Sequence, residues 1–328
     1  MSSMVSILII MGHTNLIAFY APYSKDRDFS IDLEQELKLR GFPIVKKYDR
    51  LILCETISPL PNVVFSSVTW HNVKIVNFES INQAASILKD SNPKLKFYYY
   101  STTAHRRAEL ISQKISTPLN KRYAFLEEIP SENLGAFYLI DANTLLYSLE
   151  TSSSLPFGEI EFLEDKTNPP SRAYLKLWEL FTLHKIKPHS HERVVDMGSC
   201  PGGWTWVLQS LGCRVVSVDK APLAPHIAAL PNIEFRQESA FGLRPAHLGD
   251  VDWFFSDIIC YPEKLYELVQ RHLQQGHCEQ FACTIKFQGT TDFETMFKFE
   301  QIPHSKIVHL HANKHEVTWI KTKNPDLN

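Results

Sequence analysis

The sequence predicts an α/β protein of two domains, in which an α+β domain (residues 1–165) precedes a doubly wound domain (residues 166–328). Three observations lead to this prediction. The chain has 328 residues, about the length of two average domains. A segment rich in serine, proline and acidic residues crosses residues 151–172, and strand-like and helix-like runs alternate after it. Such alternation favours a mainly parallel sheet, here with an antiparallel last strand.

The first domain shows mixed strand and helix patterns. Short β-branched and aromatic runs predict strands, and apolar residues at helical spacing predict helices. Gly41 follows the first helical pattern closely, which is typical of a helix terminus. The predicted elements are strands at Asn15–Ala21 and Leu51–Glu55, helices at Phe29–Leu39 and Ile81–Leu88, and a hairpin of Ala136–Ile140 with Leu145–Leu149.

The second domain alternates more regularly. Gly198 stops its first apolar run, and Gly212 and Gly276 end two helical patterns. The predicted strands are Arg193–Met197, Arg214–Val218, Ile233–Arg236, Asp252–Ser256, Gln280–Phe287, Lys306–His311 and Glu316–Lys321, and the predicted helices are Trp204–Leu211, Pro262–Gln275 and Phe293–Glu300.

Composition excludes several classes of protein. The 34 basic and 36 acidic residues give a formal charge of −2, which excludes a polycation that binds nucleic acid over its whole surface. The apolar run Val5–Met11 is far shorter than the roughly 20 residues of a membrane helix, and no basic residue precedes it as in a signal peptide. Six dispersed cysteines without a C-x-x-C pair favour the reducing cytoplasm. We therefore expect a cytoplasmic protein with no membrane partner.

Residues 89–122 form a locally basic stretch, with eight basic and two acidic residues around the aromatic run Phe97–Tyr100. Basic groups attract phosphates and exposed aromatic rings stack on unpaired bases, so the stretch is a candidate RNA-binding surface. The alternative is a half-buried strand followed by a helix whose charges only face water. The candidate RNA-binding residues are Lys94, Lys96, Arg106, Arg107, Lys114, Lys121 and Arg122.

A glycine-rich loop follows the first strand of the second domain. Gly198, Gly202 and Gly203 allow the backbone to approach a ligand, and the next helix offers unpaired N–H groups. Asp219 ends the second strand, where an acid suits the ribose hydroxyls of a nucleotide-like cofactor. The pattern is neither G-x-G-x-x-G nor a phosphate-binding P-loop, and the loop considered alone could be a plain tight turn.

The segment Asp196–Trp204, D-M-G-S-C-P-G-G-W, resembles the S-adenosylmethionine loop of the FtsJ-like ribose 2′-O-methyltransferases. Pro170–Leu177, P-S-R-A-Y-L-K-L, is similar to the start of the catalytic domain in the RlmM-type branch, which methylates a cytidine ribose in large-subunit (23S) ribosomal RNA. The likeness covers essentially all of residues 169–320. It implies a Rossmann-like class I S-adenosylmethionine-dependent methyltransferase domain after a shortened, THUMP-like (ferredoxin-like) RNA-binding domain.

The resemblance also implies a Lys-Asp-Lys-Glu tetrad, matched by Lys176, Asp257, Lys286 and Glu316 in chain order. A ribose 2′-hydroxyl that attacks a methyl group must lose its proton. A lysine accepts that proton only if its pKa falls from about 10.4 toward neutrality, which a second ammonium and partial burial favour. We expect Lys286 to be the base or the hydroxyl-steering group, Lys176 to tune it and contact phosphate, and the two carboxylates to orient the amines.

Cofactor contacts follow from the same resemblance. Glu238 falls where the family usually has aspartate, so its reach differs. After Asp257 the chain reads I-I-C-Y-P-E, where many relatives in the wider family have M-A-P. We expect Cys200 to be a small loop residue and not a nucleophile, since no base accompanies it. The candidate S-adenosylmethionine-binding residues are Ser171, Gly198, Cys200, Pro201, Gly202, Gly203, Trp204, Asp219, Glu238 and Asp257.

Histidines near the C-terminus could suggest a metal site, but no cysteine or clustered carboxylate completes a ligand set, and we expect no metal. These are His304, His309, His311 and His315.

The sequence thus predicts an S-adenosylmethionine-dependent 2′-O-methyltransferase that acts on 23S ribosomal RNA before or early in ribosome assembly. Two alternatives stay open. The same chemistry could act on transfer RNA or another RNA, or the chain could be a non-catalytic RNA-binding or assembly factor that retains the cofactor fold. The intact tetrad argues against the second alternative.

Overall fold

A computed structural model of the protein describes residues 15–276 and 278–323. The chain forms two compact units, one of residues up to Tyr123 with Ile129–Glu161, and one of Ala124–Glu128 with the residues from Phe162 onward. The predicted division into an RNA-binding domain (residues 1–165) and a methyltransferase domain (residues 166–328) stays a prediction. The apolar run Val5–Met11 lies outside the described residues. No helix within 15–276 and 278–323 has the length and apolar character needed to cross a bilayer.

The first unit holds two antiparallel-rich sheets. The first sheet has the order β2-β3-β1-β4-β9, and the second has the order β5-β8-β7-β6, in which only the β6–β7 pair is parallel. The strands are β1 (Leu16–Tyr20), β2 (Ile44–Tyr48), β3 (Leu51–Glu55), β4 (Val68–His71), β5 (Lys74–Asn77), β6 (Phe97–Tyr100), β7 (Gly135–Leu139), β8 (Thr144–Ser148) and β9 (Glu150–Thr151), and the helices are Phe29–Leu39, Ile81–Ser91 and His105–Ser112.

Local capping fixes where the first two of these helices begin. The Asp28 carboxylate accepts a hydrogen bond from the Ser30 N–H, and the Ser80 hydroxyl accepts one from the Gln83 N–H. The buried Glu36 carboxylate accepts hydrogen bonds from the N–H groups of Val64 and Phe65 at 2.9 and 2.8 Å, which ties the first helix to a loop. Such pairing is what allows a carboxylate to be buried.

The second unit is built on one seven-stranded sheet. Its order is β12-β11-β10-β13-β14-β16-β15, parallel except for β16, which is antiparallel to both of its neighbours. The strands are β10 (Arg193–Met197), β11 (Arg214–Val218), β12 (Ile233–Arg236), β13 (Trp253–Ser256), β14 (Gln280–Lys286), β15 (Ser305–Val308) and β16 (Glu316–Lys321), and the helices are Tyr174–His184, Gly203–Ser210, Pro225–Ala228, Pro245–Leu248, Pro262–Gln275 and Phe293–Glu300.

This order reverses between β10 and β13, because β11 lies on one side of β10 and β13 on the other. In doubly wound sheets, ligands bind outside the carboxyl ends of the strands at such a reversal. The predicted doubly wound domain with an antiparallel last strand is therefore confirmed. A THUMP-like fold for the first domain stays a prediction.

Ala124–Glu128 forms a strap that belongs to the second unit. The Phe125 ring stacks on Trp178 with centroids 4.9 Å apart and planes 10° apart. The Leu126 N–H donates to the Thr182 hydroxyl at 3.1 Å. Both partners lie on the helix Tyr174–His184, so the strap covers part of that helix.

Candidate active site

The glycine loop after β10 has a shape that side chains would disrupt. Gly198 has a φ of +80°, and a Cβ there would lie 2.6 Å from the Ile258 Cγ1 atom and 2.9 Å from the Ile258 Cα atom. Gly202 has a φ of +112° just before the next helix. Only glycine adopts these angles without strain, so the loop can lie close to Ile258 and leave its backbone open to a ligand.

Two polar side chains border this loop. The Asp219 carboxylate accepts hydrogen bonds from the N–H groups of Cys200 (3.0 Å) and Ala221 (2.9 Å), which fixes the loop against the end of β11. The Ser171 hydroxyl is buried and has no hydrogen-bond partner within the part of the chain that the structure describes. It lies 2.7 Å from where a Cβ of Gly203 would be. A buried hydroxyl left open beside a glycine cradle fits a ligand with polar groups.

Four charged side chains meet at the carboxyl edge of the sheet. The Lys176 Nζ atom lies 2.9 Å from Asp257 Oδ1 and 2.6 Å from Glu316 Oε1. The Lys286 Nζ atom lies 2.9 Å from the same Asp257 oxygen and 3.8 Å from Glu316 Oε2. The four residues that we predict as a tetrad are thus in mutual contact, with two positive and two negative charges.

Each of the four comes from a different element. Lys176 lies in the first turn of the helix Tyr174–His184, whose start is held by a hydrogen bond from the Trp204 indole N–H to the Ala173 carbonyl at 2.9 Å. Asp257 directly follows β13. Lys286 ends β14 and Glu316 begins β16, where the two are direct partners in the antiparallel register. The sheet therefore places three of the charges, and one helix brings the fourth.

The electrostatics of the cluster favour charged groups. Burial alone would lower the pKa of the Lys176 ammonium, but Asp257 and Glu316 outweigh it and hold this pKa above its ordinary value. Burial would likewise raise the pKa of Asp257, but the two lysines hold it below its ordinary value. The two carboxylates therefore favour the ammonium form of Lys176, and the two lysines favour the carboxylate form of Asp257.

Comparison with known proteins gives this site a family. The profile of the FtsJ-like methyltransferase family matches residues 169–307, a range that includes the glycine loop and three of the four clustered charges. Over these residues the chain is therefore similar to the FtsJ-like methyltransferase family.

Several curated relatives are called ribosomal RNA large subunit methyltransferase M. The relative from Halorhodospira halophila is 34% identical over 39% of this chain and 38% of its own length, and that from Idiomarina loihiensis is 32% identical over 58% and 50%. The relative from Pseudoalteromonas atlantica is 24% identical over 92% and 97%. The chain thus spans half or less of the first two relatives and nearly all of the third.

A solved structure that resembles the chain is the fibrillarin pre-rRNA processing protein of Methanococcus jannaschii. It is 17% identical, covers 41% of this chain and 68% of its own, and has a TM-score of 0.32. At that score the likeness carries no functional argument.

Sequence reasoning missed Asp196, at the end of β10 in the FtsJ-like domain. Its carboxyl group is fully buried and accepts a hydrogen bond from the Thr205 hydroxyl at 2.7 Å, which in turn lies 2.8 Å from the Ser217 hydroxyl. Burial raises the pKa of Asp196 to about 7. The signal was an acid inside an apolar strand two residues before Gly198, a position that calls for a buried partner.

Glu179 was also missed. Its buried carboxylate accepts hydrogen bonds from the N–H groups of His311 (2.7 Å) and Ala312 (3.2 Å), in the turn between β15 and β16. Glu179 lies three residues after Lys176, on the same face of the same helix. It therefore ties the turn that leads to Glu316 to the helix that carries Lys176.

The remaining cofactor candidates lie at the same edge of the FtsJ-like domain. Glu238 is exposed just beyond β12. Burial and Asp219 raise the pKa of the Cys200 thiol, which keeps it protonated and agrees with a loop residue. No group of three or more metal-binding side chains occurs among residues 15–276 and 278–323, so the C-terminal histidines form no such cluster there.

In the first unit, many of the basic candidates are already engaged. Arg106 pairs with Glu109 at 2.8 Å, Lys96 with Glu132 at 3.4 Å and Arg122 with Glu161 at 3.3 Å. Arg107 lies over the Phe78 ring at 5.1 Å and donates to the Glu79 carbonyl, so it has a structural use. Lys94, Lys114 and Lys121 are exposed, and Lys121 lies over Tyr123 at 4.9 Å.

The aromatic run beside them does not form an open stacking surface. Phe97 and Tyr98 are buried. Tyr98 accepts a hydrogen bond from the Trp70 indole N–H at 2.9 Å, and Tyr100 donates to the Asp49 carboxylate and stacks on Tyr138. For these rings the interpretation as a half-buried strand is the correct one.

We expect the stability of the protein to fall between pH 4 and pH 7 because of Asp196. The folded state holds this proton up to about pH 7, whereas the ordinary value is 3.8. Between these values the folded state binds more protons, so the free energy of unfolding decreases as pH rises and levels off above pH 7. At 1.36 kcal/mol per pKa unit the loss is about 4 kcal/mol at most.

Asp196→Asn cannot ionise and should lack this slope. Urea unfolding of both proteins at pH 5, 6, 7 and 8 measures it, with the exposed Asp250→Asn as a matched control. Parallel pH profiles for the wild type and Asp196→Asn would show that Asp196 does not hold the proton.

Proposed function

We propose that this protein is an S-adenosylmethionine-dependent methyltransferase that modifies a ribose 2′-hydroxyl of RNA. The observation that carries the proposal is the contact of Lys176, Asp257, Lys286 and Glu316 beside the glycine loop of an FtsJ-like domain. A non-catalytic factor would not need to keep two ammonium groups and two carboxylates partly buried together, because such burial is costly.

The residues of the glycine loop fit S-adenosylmethionine. Gly198 and Gly202, both with positive φ, hold the loop backbone in an open shape, and the buried Ser171 hydroxyl still has an unmet hydrogen-bonding capacity. Asp219 at the end of β11 would bind ribose hydroxyls, and Glu238 at the end of β12 would accept from an adenine amine. When bound, this cofactor supplies an electrophilic methyl group on a sulfonium.

Lys286 is the member of the tetrad best placed for the substrate. The side chain of Lys176 is 9% exposed and its ammonium has close contacts with both carboxylates, so its hydrogen-bonding directions are largely used. The side chain of Lys286 is 18% exposed and has one close contact, to Asp257. The ammonium of Lys286 therefore keeps a direction open for a hydroxyl.

Methyl transfer to a ribose 2′-hydroxyl needs a group that orients the hydroxyl and a group that accepts its proton. S-adenosylmethionine would supply the methyl group and leave with its sulfur electron pair, and the hydroxyl proton of the ribose would have to leave as the 2′-oxygen accepts that methyl group. Lys286 orients the hydroxyl and, in its neutral form, takes that proton. Lys176 is the neighbouring cation, which shares the Asp257 Oδ1 atom with Lys286. Asp257 and Glu316 hold both amines in place.

We propose that the substrate is a cytidine in large-subunit ribosomal RNA. Three relatives, which match between 39% and 92% of the chain, are called ribosomal RNA large subunit methyltransferase M. We place the reaction in the cytoplasm, which agrees with six free cysteines. Transfer of a labelled methyl group to deproteinised 23S ribosomal RNA, compared with transfer RNA, tests the substrate. Incorporation into transfer RNA alone would identify transfer RNA as the substrate instead. No incorporation into either RNA would favour a non-catalytic factor.

Residues 1–165 would then hold the RNA. Lys94 and Lys114 are the best candidates, because they are exposed and have no ion pair within 15–276 and 278–323. Arg106, Arg107 and Arg122 contribute less charge to RNA binding since other protein groups already engage them.

Lys286→Ala should lower kcat for methyl transfer by about 10²- to 10⁴-fold, the usual effect of losing a group that moves or orients a proton. Cofactor affinity, measured by calorimetry, should stay within about twofold because Lys286 does not border the glycine loop. Lys298→Ala, which removes an exposed lysine elsewhere in the domain, is the control. Unchanged turnover of Lys286→Ala would refute the assignment.

Gly198→Ala should weaken cofactor binding, because a Cβ at 2.6 Å from Ile258 forces the loop to move. We expect a fall in affinity of about tenfold or more, by analogy with a strain of about 1–3 kcal/mol. Gly41→Ala is the matched control, since Gly41 has a φ of +79° and no atom within 4 Å of its added Cβ. Equal cofactor affinity in all three proteins would show that the loop does not bind the cofactor.

Lys94→Ala with Lys114→Ala should weaken RNA binding and reduce the slope of log affinity against log salt by about two, one for each lost phosphate contact. Fluorescence anisotropy at several salt concentrations measures this slope. Lys38→Ala, an exposed lysine paired with Glu34, is the control. A slope equal to that of the wild type would mean that RNA binds elsewhere.

A further inference from the structure

The segment after Asp257 exposes two large apolar side chains next to the tetrad. Ile259 is 82% exposed and Tyr261 is 58% exposed, whereas Cys260 between them is buried. Pro262 is buried and begins the next helix. The two exposed side chains thus project from a segment whose intervening residues are anchored in the domain.

The anchors connect this segment to both halves of the site. Ile258 packs against Gly198, where it leaves no room for a Cβ. Asp257, which directly precedes the segment, has its Oδ1 atom 2.9 Å from the Lys286 Nζ atom. The segment therefore runs from the cofactor loop toward the lysine that we assign to the substrate.

The exposure of Ile259 and Tyr261 is a feature of binding surfaces. Ile259 is the most exposed large apolar side chain described in the second unit, and large apolar groups that cluster on a surface usually mark a binding site. Neither side chain belongs to the buried core of the domain. Along the chain they follow Asp257, a member of the tetrad, by two and four residues.

We propose that Ile259 and Tyr261 form the surface on which a base of the RNA stacks when its ribose, or the adjacent ribose, lies at the tetrad. This stacking surface rests on the proposed function and would be the part of the site that binds the substrate base. Tyr261 supplies the ring face and Ile259 supplies apolar contact beside it.

Covalent geometry supports an RNA base as the group that binds to Ile259 and Tyr261. Ile259 lies two residues from Asp257, so their Cα atoms are at most about 7 Å apart, and Tyr261 is at most about 14 Å away. A base is joined directly to the ribose whose hydroxyl reacts, so it must lie within a short distance of the tetrad. An unpaired base offers a flat apolar face, and tyrosine is a common partner for it.

The side-chain chemistry of Ile259 and Tyr261 gives binding without base specificity. An aromatic ring and an isoleucine side chain stack on any base, so they add affinity and alignment and do not choose among bases. The exposed Lys264, three residues after Tyr261, adds positive charge for a nearby phosphate. The substrate should therefore be single-stranded at the target, because in a duplex the neighbouring stacked bases cover both faces of a base.

The test compares Tyr261→Ala with Tyr261→Phe and Tyr261→Trp. We expect the alanine variant to raise KM for RNA, and its dissociation constant for a short single-stranded RNA, by about 5- to 100-fold, the usual range for one lost base stack. Phenylalanine and tryptophan should restore both values. Cofactor affinity and thermal unfolding should not change, because the ring is exposed. Gln275→Ala, at the exposed end of the same helix, is the control.

Two results with the Tyr261 variants would overturn the stacking proposal. An alanine variant with unchanged KM and RNA affinity overturns the inference, and so does a phenylalanine variant as weak as alanine, which would assign the effect to the hydroxyl. A change in sedimentation without a change in RNA affinity would mean that a second copy of the chain covers the surface. Absence of methyl transfer by the wild type, with RNA bound, would instead refute the proposed function, since the binding readout does not depend on turnover.

Discussion

The site depends on one oxygen, Asp257 Oδ1, which lies 2.9 Å from the ammonium groups of both Lys176 and Lys286. Two like charges so close together, and largely buried, are stable only when carboxylates balance them. Asp257 and Glu316 make the cluster neutral overall. The four side chains therefore act as one unit, and the loss of any one changes the charge balance of the other three.

The sheet order explains how so compact a unit arises from residues far apart in the chain. β13, β14 and β16 are neighbours, and Asp257, Lys286 and Glu316 lie where these strands end or begin at one edge. Because β16 runs antiparallel to β14, its first residue meets the last residue of β14. Glu179 and Trp204 then fix the helix that brings Lys176 to the same edge.

Much of this could be predicted from the sequence. In the second unit, Arg193–Met197, Arg214–Val218 and Pro262–Gln275 have the predicted bounds, because glycines and apolar runs mark them sharply. β2, β4 and β5 were missed, since they are short and partly polar and owe their conformation to pairing with neighbouring strands. The charged residues of the site could be named through resemblance, but not their shared contacts. Nothing in the spacing indicated that the Arg107 guanidinium would lie over the Phe78 ring.

No single cut separates the two units, since Ala124–Glu128 lies in the second unit and the residues on either side of it lie in the first. A fragment that starts at residue 166 would lack Phe125, and the face of Trp178 that this ring covers would meet water. Trp178 lies on the same helix as Lys176. The second unit is therefore built from two separate stretches of chain, and the earlier of them covers part of the helix that carries Lys176.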